Sequence, residues 1–134
     1  MDINQKPALI LLVDDEADIL SIYKAKLDKV GFRVITASDG AQAVQMAIDQ
    51  HPDLILMDMK MPVMDGITAQ SKLEENPVTK DIKVVFLTAF SDPMNPEIDE
   101  RSAKENGAFD FIKKGIGLDE LVEKVRGYLN MPNA

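Results

Sequence analysis

From Ala8 to Val13 every position is apolar, a short unbroken run of the kind that forms a strand covered on both faces. From Glu16 to Val30 the spacing changes. Ile19, Leu20, Tyr23, Leu27 and Val30 recur at helical intervals, and Gly31 stands where a left-handed helix end favours glycine. The alternation then repeats: Arg33 to Ala37 predicts a second strand, Ala41 to Gln50 a helix with Val44, Ala47 and Ile48 on one face, and Asp53 to Met57 a third strand. Past Pro62 and Asp65-Gly66, a more polar third helix runs to Glu75, and Ile82 to Leu87 predicts the fourth strand. A fourth helix ends before Gly107, and Phe109 to Ile112 makes a short fifth strand. Leu118, Leu121, Val122, Val125, Tyr128 and Leu129 then form the apolar stripe of a last helix.

Strands alternating with helices, and no hairpin signal between them, imply right-handed crossovers and a parallel sheet with helices on both faces. The expected fold is a doubly wound α/β domain. All 134 residues fit one such domain, with its core over residues 8–130 and no repeat or interdomain linker.

Apolar residues at 46% and charged residues at 28% match soluble globular proteins rather than disordered chains. A net charge of −8, from 23 acidic and 15 basic residues, opposes non-specific binding to nucleic acid or to an anionic membrane surface. No direct nucleic-acid binding and no membrane insertion are expected. The chain has no cysteine, so neither a disulfide framework nor a thiolate metal site is available. It shows no secretory-signal layout and no apolar run near the ~20 residues of a membrane span, which makes a cytoplasmic location the default.

In an open parallel sheet, ligands bind beyond the carboxyl ends of the strands. Polar residues gather at that edge. Strand 1 leads into Asp14-Asp15-Glu16, strand 3 into Asp58, strand 4 into Thr88 and strand 5 into Lys113-Lys114. Three carboxylates brought together are unfavourable unless a cation or proton compensates. Oxygen donors without histidine or cysteine select Mg²⁺ or Mn²⁺ over zinc, and Mg²⁺ retains waters that a phosphoryl group can replace. Phosphoryl transfer needs an in-line nucleophile and neutralisation of the equatorial oxygens. Asp58 supplies the nucleophile, Lys114 and the metal supply positive charge, and the Thr88 hydroxyl supplies a hydrogen bond.

Four segments carry a more specific signal: LILLVDDE at 9–16, LILMDMKMPVMDG at 54–66, VVFLTA at 84–89 and GAFDFIKK at 107–114. In this order the chain resembles the receiver domains of two-component response regulators over almost its whole length. The resemblance implies a flavodoxin-like sheet of order 2-1-3-4-5 and phosphorylation of Asp58 by a sensor histidine kinase or phosphotransfer protein. It also implies metal contacts from Asp15, Asp58 and the Lys60 backbone carbonyl, with Asp14 acting through metal-bound water. Phe111, three residues before Lys114, matches the family's aromatic switch, and Thr88 and Phe111 point to an output surface on the fourth helix, fifth strand and last helix. An unknown downstream protein would bind there.

The chain departs from the pattern in places. Gly115 stands where a proline in a cis peptide usually follows the lysine, and the segment from Thr88 to Gly107, with Pro93 and Pro96, is longer than usual. Lys60 and Phe90 flank the phosphate entrance.

Single residues also have plainer readings. Asp14 to Glu16 suit a helix N-terminus, Asp65 reads as a helix cap and Gly66 as a turn residue, His51 as a surface residue, and the eight methionines as core filler. Two other functions fit less of the sequence. A small aspartyl-phosphate hydrolase would share the acidic site but normally needs a cap or substrate pocket, and a flavin or nucleotide binder would need a glycine-rich phosphate loop after strand 1.

Overall fold

The computed structural model describes residues 6–88 and 107–130. The helix predicted before Gly107, together with Phe90, Pro93 and Pro96, lies outside them. Among the described residues nine elements follow one another: β1 (Leu9–Val13), α1 (Ala17–Lys29), β2 (Arg33–Ala37), α2 (Gly40–Gln50), β3 (Leu54–Asp58), α3 (Gly66–Glu75), β4 (Lys83–Thr88), β5 (Asp110–Lys113) and α4 (Leu118–Asn130). All five strands pair in parallel, in the order β2-β1-β3-β4-β5. The pattern of the sequence predicts the parallel, doubly wound sheet, and the resemblance of its four motifs implies this flavodoxin-like order. Among the described residues no helix is long and apolar enough to cross a membrane.

The unbroken apolar strands are explained by two cores, one on each face of the sheet. Ile10, Leu12, Leu54, Leu56, Val85 and Leu87 pack against Tyr23 and Leu27 of α1 and Leu121, Val122 and Val125 of α4. Leu11, Val13, Ile55, Met57, Val84 and Phe86 face the other way, onto Ala43 and Ala47 of α2 and Ala69 and Leu73 of α3. Successive side chains thus serve opposite cores. Full burial of each large side chain contributes about 1.5–3 kcal/mol, so a polar replacement inside any of these strands is costly from either direction.

The strands end slightly later than the apolar runs do. Asp58, Thr88 and Lys113 are the last strand residues, and each is held in register: Asp58 opposite Leu87, and Thr88 opposite Lys113. Hydrogen bonds extend the ladder further, from the Asp14 N–H to the Ala37 carbonyl at 3.2 Å and from the Lys114 N–H to the Thr88 carbonyl at 2.7 Å. Hydropathy ends with the last apolar residue, whereas backbone pairing continues as long as a neighbour supplies partners. The polar residues at the sheet's edge therefore sit on paired, rigid backbone.

Candidate functional site

Three strand ends converge on one pocket of charge. Asp14, after β1, is fully buried, and Asp58, ending β3, is 6% exposed, while Asp15 faces solvent. One carboxylate oxygen from each of the three lies within 4.8 Å of the others. Side-chain alternation explains the pairing. Asp14 continues the face of Ile10 and Leu12, and Asp58 that of Leu54 and Leu56, so both project on the α1 and α4 side. Lys114 continues the face of Ile112 and reaches the same place.

The Lys114 ammonium stands 2.8 Å from Asp14 Oδ2 and 3.2 Å from Asp58 Oδ2, with Glu16 Oε2 at 3.9 Å. Burial disfavours the charged ammonium, but its contacts with Asp14 and Asp58 outweigh that and hold its pKa above the ordinary lysine value. For Asp58 the balance runs the other way. Burial raises its pKa above the usual carboxylate range, the Lys114 charge lowers it, and the Asp14 charge raises it again. Lys113, one residue earlier, is exposed.

The loops that shape the site are set by local hydrogen bonds. Glu16 N–H donates to Asp14 Oδ1 at 2.9 Å as the chain turns into α1, and Lys60 N–H reaches Asp58 Oδ1 at 3.4 Å as it leaves β3. Asp65 caps α3, accepting from Thr68 N–H at 2.7 Å, and Gly66 N–H donates to the Met59 carbonyl at 2.9 Å. A side chain on Gly66 would collide with the Asp58 carbonyl, so the glycine lets α3 start against the backbone of β3. Between them Val63, 85% exposed, adopts φ 67°, a left-handed conformation that a β-branched residue rarely takes.

Thr88 and Phe111 stand on the other face. Thr88 is 2% exposed at the end of β4, and its Oγ1 donates a long hydrogen bond to the Ile112 carbonyl at 3.5 Å. Phe111, half-buried in β5, packs against the α2 and α3 core. The structure thus brings Asp14, Asp15, Asp58 and Lys114 together and sets Thr88 at the end of the strand beside Asp58. Gly115 turns the chain after Lys114 with φ 94°, and there is no cis peptide bond among the described residues.

The remaining sequence readings fall outside the site. His51 is an exposed residue that ends α2 with φ 49°, and Met57 and Met59 fill the core. Two features were not visible in the sequence: the role of Glu16 as a third carboxylate near Lys114, and the buried hydroxyl of Tyr23.

The donor set fits a hard divalent cation. All three converging groups are carboxylates, Asp14 Oδ2 is buried beside the Lys114 ammonium, and one lysine leaves the cluster net negative. The cluster, two buried aspartates and one exposed, lies beyond the carboxyl ends of a parallel sheet, where ligands of such folds bind.

The family model for the response regulator receiver domain matches residues 10–126. Among curated proteins, the transcriptional regulatory protein PrrA of Mycobacterium tuberculosis is 37% identical over 130 residues, covering 96% of this chain and 53% of PrrA. The chain therefore spans about half the length of that relative. Among solved structures, the response regulator domain of Thermotoga maritima CheB superposes with a TM-score of 0.79 at 31% identity, covering 95% of this chain and 99% of that one. The receiver domain of a sensor histidine kinase from Pseudomonas aeruginosa, solved with a magnesium ion in its active-site cleft, gives 0.82 at 27% identity, covering 93% and 99%. Four carboxyl-edge motifs, a 2-1-3-4-5 sheet and a family match over the whole sheet leave one assignment: the chain belongs to the response regulator receiver domain family.

Proposed function

We propose that this chain is a phospho-acceptor switch in two-component signalling, taking a phosphoryl group onto Asp58 from a sensor histidine kinase or phosphotransfer protein. One observation carries the reading. Asp58 is a nearly buried carboxylate on rigid backbone, with two further aspartates and an ammonium aimed at the same point.

The chemistry assigns each group a task. An Asp58 carboxylate oxygen attacks phosphorus in line, the bond to the donor imidazole nitrogen breaks with its electron pair leaving on the imidazole, and an acyl phosphate forms. Lys114 neutralises charge on the phosphoryl oxygens, and the Thr88 hydroxyl donates to one of them. Mg²⁺ or Mn²⁺ would be held by Asp15, Asp58 and the Lys60 carbonyl, with Asp14 acting through water, and would supply Lewis-acid neutralisation. The magnesium in the Pseudomonas receiver supports this choice. Hydrolysis of the acyl phosphate resets the protein.

The product of this reaction is a changed affinity, not a released metabolite. Thr88 and Phe111 would couple phosphorylation to a downstream protein binding the surface of β5, α4 and the segment before Gly107. We read residues 8–130 as one receiver unit acting in the cytoplasm.

The test is incorporation from acetyl phosphate, followed by intact mass. One phosphoryl group should appear with Mg²⁺ and fail to appear in chelator. Steady release of phosphate from a small ester, without a stable phosphoprotein, would instead favour a hydrolase.

A further inference from the structure

Strand β2 brings no polar side chain to the charged cluster, yet the chain just beyond it touches the loop that carries Lys60. β2 ends in Ala37, and Asp39, two residues on, is taken up in capping α2, where it accepts from Gln42 N–H at 2.8 Å. Next comes Gly40, buried, the first residue of α2. Its N–H donates to the Met64 carbonyl at 2.9 Å. A side chain here would collide with that carbonyl and press on the Asp65 carbonyl at 3.0 Å. Gly40 is not among the residues of positive φ, so glycine stands here for its missing side chain and not for its backbone freedom. Alanine would suit the helix better, and the close approach of the other loop excludes it.

That other loop, residues 59–65, has little slack. Gly66 N–H closes its neck on the Met59 carbonyl at 2.9 Å, and Met64 N–H bonds the Pro62 carbonyl at 2.7 Å, a γ-turn about Val63. Val63, at φ 67°, takes the strained hand of that turn, and the Pro62 ring fixes its own φ. Strained backbone persists where its surroundings over-determine it, and the Gly40 N–H supplies such a hold from outside the loop. Neither Pro62 nor Val63 is free to absorb a displacement of Met64. The displacement would pass along the chain to Met61 and Lys60, whose N–H reaches Asp58 Oδ1 at 3.4 Å.

Resting on the metal reading above, we propose that Gly40 is a positioning residue for the metal site. By holding the Met64 carbonyl it fixes the loop that carries the Lys60 carbonyl. A backbone ligand has no side-chain packing of its own to orient it, so its place follows from the loop's two anchors, Gly66 on Met59 and Gly40 on Met64. Through the start of α2, β2 thus completes a site whose charged groups come from the ends of β1, β3 and β5.

The experiment measures Mg²⁺ affinity by calorimetric titration in the wild type, Gly40→Ala and Val34→Ala. Gly40→Ala should bind Mg²⁺ about ten-fold more weakly, the loss typical when a group that orients a metal ligand is removed. Val34→Ala, which thins the opposite core near the amino end of β2, should melt lower and keep the wild-type affinity. By linkage, the cation must strengthen the Gly40–Met64 bond by the factor that the bond gives to the cation. In the wild type, Mg²⁺ should therefore slow hydrogen exchange at the Gly40 amide about ten-fold and leave the His51 amide, bonded to Ala47 at the other end of α2, unchanged. That second measurement needs no variant to fold. Wild-type affinity in Gly40→Ala, an equal loss in Val34→Ala, or Gly40 exchange indifferent to Mg²⁺ overturns the assignment. A wild type that binds no Mg²⁺ overturns the metal reading, and this inference with it.

Discussion

Asp58 is held in tension between burial and Lys114, and the sign of that balance has a measurable consequence. The folded protein binds the Asp58 proton more tightly than the unfolded chain does, because burial raises its pKa against the pull of Lys114. Stability contributed at this position is therefore greatest at low pH and falls as pH rises from the ordinary value of 3.8 through the raised folded value. In chelator, Asp58→Asn should raise the melting temperature at neutral pH, and the gap should close as the pH falls towards 4. A gap independent of pH would mean that the charge of Asp58 is not the cause. The two adjacent lysines divide as sharply. Lys114→Ala should abolish the beryllofluoride-induced NMR shift of Thr88, while Lys113→Ala, altering an exposed residue, should leave it intact; the reverse pattern would place the functional ammonium one residue earlier.

At the scale of elements, the site depends on how closely α3 approaches β3. Gly66→Ala would drive a methyl group into the Asp58 carbonyl, so it should cost about 2 kcal/mol or more and lower the melting temperature by several degrees. A melting temperature equal to wild type would show that the loop relaxes freely. This contact also marks where the sequence stops being legible. The strands, the four described helices and the polar residues at the ends of every strand but the second could be read because apolar runs and period-3.6 stripes are local signals. Asp65-Gly66 reads as a turn, but the need for glycine arises from the Asp58 backbone, which only the crossover brings near. Tyr23 reads as one more position in the α1 stripe, because its core partners Leu121, Val122 and Val125 lie near the other end of the chain. Lys114 was legible through alternation, since Ile112 fixes the face on which it falls.

For the whole molecule, a metal at the acidic edge would link binding to folding. A cation that binds the native cluster and not the unfolded chain stabilises by mass action, about 2.7 kcal/mol at a hundred-fold excess over Kd. Mg²⁺ should therefore raise the melting temperature of the unmodified protein, and Asp15→Asn should lose most of that rise. Equal shifts in both would remove Asp15 from the metal site. The central claim is that the Asp58 carboxylate itself becomes the acyl phosphate, and borohydride reduction tests it directly, because the reagent converts an aspartyl phosphate to homoserine at the residue that carried it. After treatment with acetyl phosphate and Mg²⁺, peptide mapping should find homoserine at position 58 and nowhere else. Homoserine at Asp14 or Asp15, or phosphoryl incorporation that persists in Asp58→Asn, would contradict the account.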